Sequence, residues 1–161
     1  MILRKGTAMR RLTILLVAAA GCGAPVDDGK AMPENKMTDT HQSEPDRITL
    51  QHILISFAGT RTAATRTKAE AEKLAGDVLS RARKGEDFGA LVKQLSDDPG
   101  EGVYRLRNAG AAPGAPGEYD RGNMVPAFGN VGFKLAAGEI GMAPFDPKAS
   151  PYGWHIIKRL K

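Results

Sequence analysis

Apolar positions change period along this chain, and the changes mark out elements. Ile48, Leu50, His52, Ile53, Leu54 and Ile55 form a β-branched, mostly apolar run, which predicts a largely buried strand. Ala58-Gly59-Thr60-Arg61 breaks it. Thr67-Lys68-Ala69-Glu70 has the form of a capping box. Ala71, Leu74, Ala75, Val78, Leu79 and Ala82 then recur on one helical face, with Gly85 as the stop. Asp87 is placed to cap a second, shorter helix that buries Phe88, Leu91, Val92 and Leu95.

Between Pro99 and Gly117 the periodicity lapses into Gly, Ala and Pro, interrupted by Val103-Tyr104-Arg105-Leu106-Arg107, and this stretch reads as a loop. Pro126 suits a helix start for a segment burying Phe128, Val131 and Leu135 and ending before Gly138. Gly129 and Gly132 weaken that helix by up to about 1 kcal/mol each relative to Ala. Glu139-Ile140 opens another strand, and Trp154 to Leu160 is the last. No internal repeat is visible. The order strand, helix, short helix, loop, helix, strand, strand is that of an α+β domain covering 47–161.

The first 46 residues have a different pattern. Leu12 to Gly21 is a nearly apolar run behind Arg10 and Arg11. It is too short for the roughly 20 residues a spanning helix needs, and fits the apolar stretch of an export signal over 1–21. Ala19-Ala20-Gly21-Cys22 resembles a bacterial lipobox, and Cys22 is the lipidation candidate. It is also the chain's one cysteine, so no intramolecular disulfide can form. Residues 22–46 read as an acidic tether, with Pro25, Pro33 and Pro45 and few apolar side chains to offset the entropy of ordering. His41 lies there without partners for a metal role.

Charge excludes little but tempers one idea. The formal net charge is +5. Arg4, Lys5, Arg10 and Arg11 all precede Leu12, and without them the excess nearly vanishes. The cations after Arg47 are spread over helix faces and loops, so nucleic acid is not an expected partner. No closely spaced ligand pair suits zinc. Ser150, His155 and Asp98 lack a nucleophile elbow, and no phosphate-cradling glycine signature is present.

The informative chemistry is two histidines that lie far apart in sequence, each in a strand-like run. His52 sits in His52-Ile53-Leu54-Ile55, and His155 closes Tyr152-Gly153-Trp154-His155. Gly122-Asn123-Met124-Val125-Pro126-Ala127-Phe128 lies between them. Two imidazoles facing Met124 and Phe128 make an apolar cup with a polar floor, suited to a hydrophobic ligand that carries one amide.

These segments, with Gly85-Glu86-Asp87-Phe88, Ser96-Asp97-Asp98-Pro99 and Gly138-Glu139-Ile140, resemble the parvulin (PpiC, rotamase) family of peptidyl-prolyl cis-trans isomerases, here in a bacterial lipoprotein form. The resemblance runs from about Ile48 to Lys161. It implies a small antiparallel or mixed four-stranded sheet flanked by three to four helices. It also implies isomerisation of Xaa-Pro bonds in exported, unfolded or partly folded proteins, without a cofactor.

By the same resemblance, Met124 and Phe128 grip the proline ring, and His52 and His155 pair on the pocket floor. Ser150 supplies the hydroxyl supporting them. Asp98 stands beside the rotating carbonyl, with a pKa that burial can raise until it donates a hydrogen bond. Many parvulins carry Gly-Gly-Asp-Leu-Gly before an aromatic residue, and its Leu lines the pocket. Gly114-Ala115-Pro116-Gly117-Glu118-Tyr119 corresponds to it here, placing Pro116 at the Leu and Tyr119 beside it.

Tyr104, Arg105 and Arg107, in the long preceding loop, either cover the pocket or project into water. Arg61, Arg66 and Lys68 stand where some parvulins read phosphate, though exposed helix-start charge is the preferred account of them. The expected molecule is a monomeric, lipid-anchored isomerase of the cell envelope, with proline-containing polypeptides as clients. A catalytically weak chaperone or peptide-binding module on the same fold is the alternative.

Overall fold

The computed structural model describes residues 44–161. The export signal over 1–21, Cys22 and nearly all of the proposed tether lie outside the described residues. Among those described, no helix is long and apolar enough to cross a membrane.

β1 (Arg47–Ile55) runs through the middle of a five-stranded sheet. It is followed by α1 (Lys68–Arg83), α2 (Phe88–Leu95), β2 (Val103–Arg107), β3 (Glu118–Asp120), α3 (Pro126–Lys134), β4 (Ile140–Ala143) and β5 (Trp154–Arg159). The sheet order is β3-β2-β1-β5-β4, antiparallel except where β2 and β3 run parallel. The α+β class is as expected, with three α-helices among the described residues, but their sheet has five strands where four were expected. Much of the difference lies in the stretch read as a loop. Val103–Arg107 pairs with Arg47–Gln51 of β1, and Glu118–Asp120 then pairs with β2.

Local chemistry explains the helix boundaries. Thr67 closes a full capping box on α1, its hydroxyl accepting from Glu70 N while Glu70 accepts from Thr67 N at 2.7 Å. The Asp87 carboxylate accepts from Ala90 N at 2.6 Å and caps α2. Pro126 opens α3, where a missing N–H costs nothing. α3 ends at Lys134, so Leu135 packs as the residue after the helix.

Side chains on β1 alternate between two cores. Ile53 and Ile55 join Ile156 and Trp154 under α1 and α2. Ile48 and Leu50 join Leu106, Ile157, Phe128 and Phe133 under α3. Gly132 shows why a weak helix former sits in α3: a Cβ there would lie 2.3 Å from the Leu50 side chain. The glycine lets helix and sheet approach, which offsets its propensity cost. Gly102 does a similar service at the start of β2. Its φ of +64° is the left-handed region, a Cβ would lie 2.5 Å from His52 O, and its own carbonyl accepts from His52 N at 2.9 Å.

Candidate active site

The β1–β5 register places Leu54 opposite His155 and His52 opposite Ile157, so both imidazoles emerge diagonally on the α3 face. Their Nδ1 atoms lie 3.2 Å apart and their rings stack at 5.3 Å with 20° between planes. Phe128, from α3, meets His52 edge-on at 5.1 Å and His155 at 5.6 Å. Met124 completes the arrangement. All four line one open cavity of about 410 Å³, within the size range of small-ligand sites.

Asp98 reaches the same cavity because its segment is clamped to the end of β1. Leu54 N donates to Ser96 Oγ at 3.1 Å, and Asp97 N donates to Leu54 O at 2.8 Å. The Asp97 carboxylate accepts from Ser56 N at 2.7 Å and pairs with Arg66. The next residue therefore points inward. Asp98 Oδ2 lies 2.9 Å from His52 Nε2 and accepts from Tyr104 OH at 2.8 Å.

These contacts set the charges. The hydrogen bond from His52 holds the Asp98 carboxyl below the usual aspartate range; burial opposes this, and the Tyr104 bond adds to the His52 effect. The expectation of a raised pKa is therefore corrected: two donors to one oxygen outweigh partial desolvation, and Asp98 is an anion. Burial pushes His155 down to about 3, with the nearby His52 adding to it, so that imidazole is neutral. Burial and the Asp98 bond push the Tyr104 phenol up to about 12, so it remains a donor.

Hydrogen positions follow by logic. An ionised carboxylate only accepts, so His52 Nε2 carries hydrogen. One hydrogen bridges the two Nδ1 atoms, 3.2 Å apart. His155 Nε2 is buried and has no hydrogen-bond partner among the described residues.

The other candidates sit elsewhere. Ser150 is fully buried but its hydroxyl does not hydrogen-bond the imidazoles. Its hydroxyl donates to Gly153 O at 2.8 Å and shapes the turn into β5. Pro116 is exposed and outside the cavity, and its carbonyl accepts from Arg105. Tyr119 is 50% exposed and packs against the outer side of Tyr104, with ring centroids 5.8 Å apart. The three early cations do not converge: Arg66 is taken by Asp97 and Ser56 O, Lys68 lies over the Phe145 ring, and Arg61 alone lines the cavity.

The family model described as the PPIC-type PPIASE domain matches residues 35–161. The chain belongs to that family. The PPIC-type domain here is 31% identical over 135 residues to the foldase protein PrsA of Geobacillus kaustophilus, matching 84% of this chain and 38% of that protein. It is 34% identical over 115 residues to the chaperone SurA of Pseudomonas aeruginosa, matching 71% of this chain and 24% of that protein. The chain thus spans well under half the length of these curated relatives. Peptidyl-prolyl isomerase ESS1 from Candida albicans shares the fold, with a TM-score of 0.54 at 21% identity over 72% of this chain and 63% of that one.

Set beside the parvulin pattern, the structure relocates one wall. β2, not the segment around Pro116, flanks β1 at the cavity, and Tyr104 fills the place assigned to Pro116. The misplacement arose because Glu118–Asp120 is also a strand beside an aromatic residue, one strand further from the site. An available signal was Gly102, two residues before Tyr104, which matches the second glycine of Gly-Gly-Asp-Leu-Gly as well as Gly114 does.

Proposed function

We propose that this chain is a peptidyl-prolyl cis-trans isomerase acting on Xaa-Pro bonds of exported, unfolded or partly folded polypeptides. The observation that carries this is the single cavity that gathers Met124, Phe128, His52, His155 and Asp98. Family membership and relatives named foldase and chaperone support it. Of the stretch 100–113, only Tyr104 reaches the cavity, and it does so as a wall, so the long segment does not plug the site.

The barrier to rotation about a peptide bond is about 18–20 kcal/mol, and it comes from amide resonance. The reaction rotates a bond and breaks none, so it calls for no cofactor. Met124 and Phe128 hold the proline ring while the preceding carbonyl turns. In the planar amide that oxygen carries partial negative charge. In the twisted form resonance is lost, the oxygen becomes ketone-like and the nitrogen pyramidal. Asp98, anionic and half-buried, stands beside the carbonyl and disfavours the planar form more than the twisted one. A partly desolvated site strengthens that effect. His52 and His155 are the floor, fixing Asp98 through Nε2 of His52. Ser150 holds the turn that delivers His155, and Tyr119 backs the wall from outside.

The remaining parts of the proposal concern the chain before β1. Residues 1–21 act as an export signal and Cys22 takes the lipid. Residues 22–46 tether a monomeric domain at the membrane surface of the cell envelope. Membrane fractionation and mass spectrometry of Cys22→Ser test this: the variant loses the lipid mass and leaves the membrane fraction. Unchanged mass and distribution reject the anchor.

Activity is tested on short Xaa-Pro peptides by NMR exchange or a protease-coupled assay. Wild type accelerates exchange over background, and Met124→Ala loses about tenfold or more in kcat/KM. No acceleration by wild type rejects the isomerase. If wild type still suppresses aggregation of an unfolded client, the weak chaperone or peptide-binding reading stands, in keeping with the relative named a chaperone.

A further inference from the structure

Among the polar side chains that line the cavity and that the roles above leave unused, Tyr104 is the one bonded to Asp98. Tyr104 lies on β2, directly opposite Leu50, and its ring faces the site between His52 at 5.2 Å and Phe128 at 5.8 Å. Its hydroxyl donates to Asp98 Oδ2 at 2.8 Å, the same oxygen that His52 Nε2 approaches at 2.9 Å. A continuous chain therefore runs Tyr104, Asp98, His52, His155, drawing on β2, the segment after α2, β1 and β5.

The 108–117 connection supports this tyrosine. Arg47, Arg105 and Arg107 bind carbonyls of Ala112, Pro113 and Pro116, pinning the 108–117 segment so that β3 can pair with β2. Tyr119, on β3, then stacks behind Tyr104. A shorter connection would not bring a parallel strand back to the sheet edge.

We propose that Tyr104 is the positioning residue of this site: with His52 it grips one oxygen of Asp98, and it holds that carboxylate oriented and charged beside the Xaa-Pro carbonyl. The inference rests on the isomerase reading, and it adds a hydroxyl to a wall that the parvulin pattern makes aliphatic. A leucine there packs against proline but cannot bind the carboxylate. The other titratable or charged groups near Asp98 are few. His52 and His155 come from the sheet, Arg61 lines the cavity from the loop after β1, and Tyr152 lines it from the turn before β5. Asp97 also lines the cavity, with its carboxylate held by Arg66 and Ser56 N, and Tyr119 lies behind Tyr104. Met124 and Phe128 contribute no charge.

The test uses the full chain with Tyr104→Phe, which keeps the ring, and Tyr104→Leu, which removes it. Carbon-13 carboxyl shifts of Asp98 are titrated in the ligand-free protein, and kcat/KM on an Xaa-Pro peptide is measured against pH. In both variants the Asp98 midpoint and the acid limb of kcat/KM move to higher pH than in wild type. Near neutrality Tyr104→Phe lowers kcat/KM about three- to tenfold, less than the full worth of a hydrogen bond to a charged group because His52 still holds the same oxygen. Tyr104→Leu also raises KM.

Wild-type and variant midpoints that coincide overturn the proposal. So does a wild-type Asp98 that titrates at or above the ordinary aspartate value, a measurement that needs no variant to fold. The carboxyl titration needs no turnover. A shifted midpoint with no catalysis therefore rejects the isomerase and keeps the Tyr104–Asp98 coupling, while catalysis with no shift does the reverse.

Discussion

The two faces of β1 carry helices in the same way and do opposite things. Under α1 and α2, Ile53, Ile55, Ile156, Trp154, Leu91 and Val78 meet with no polar side chain among them. Under α3, Leu50, Ile157, Leu106 and Phe133 begin a similar core, but it opens at His52 and His155 into a cavity. One face spends its burial on cohesion. The other accepts a buried imidazole nitrogen with no partner among the described residues, and a half-buried carboxylate, features that cost stability. A strand with alternating sides can separate these two demands because its side-chain period is two.

That contrast can be broken by substitution. The largest expected effect on stability is Ile156→Ala on the dry face: a loss of about 2–5 kcal/mol in denaturant unfolding, with kcat/KM per folded molecule near wild type. Met124→Ala lines the cavity and is only partly buried. It does the reverse, lowering kcat/KM about tenfold or more while costing under about 1.5 kcal/mol of stability. Equal losses of stability in both variants would erase the distinction between the faces.

A smaller effect is pH-dependent. His155 has a folded pKa of about 3, below its unfolded value near 6.5. The unfolded chain therefore binds more protons in between, and stability falls as pH drops from about 6.5 toward 3. Asp98, whose folded pKa is also lowered, adds a loss in the same direction as pH falls through its folded pKa. His155→Gln flattens the upper part of this window when unfolding is followed by calorimetry at several pH values. A wild-type slope retained in the variant places the proton uptake elsewhere.

The smallest expected effect belongs to Arg61, the one member of its cation trio at the cavity. Arg61→Ala changes the preference for Glu-Pro over Ala-Pro peptides by less than about threefold at physiological salt, since an exposed charge is well screened. A tenfold change would make it a specificity determinant.

Much of this architecture is legible in the chain. The run from Ile48 to Ile55, the capping box at Thr67, the Asp87 cap and Pro126 each declare themselves through neighbours within four residues, and the folded elements follow them closely. Met124 and Phe128, four apart at a helix start, and the two strand-borne histidines are equally readable. Tyr104 is harder to read. Val103–Arg107 has a strand-like composition, yet its placement depends on pairing with β1 across about fifty residues of sequence. The pull of Pro116 toward the site came from a local motif, whereas the connection from 108 to 117 moves that motif one strand outward. The direction of the Asp98 shift was hidden for the same reason. Burial can be guessed from a sequence, but two donors on one oxygen are a matter of ångströms.

By itself, then, the sequence determined which residues form helices and strands, which family the chain belongs to, and which aromatic, thioether and imidazole groups were available. Those follow from short-range sterics, capping and periodicity. Only the tertiary structure decided that a phenol from β2 and an imidazole from β1 meet on one carboxylate oxygen. Hydrogen bonds and charge states depend on distances that the chain sets only once its strands are in register.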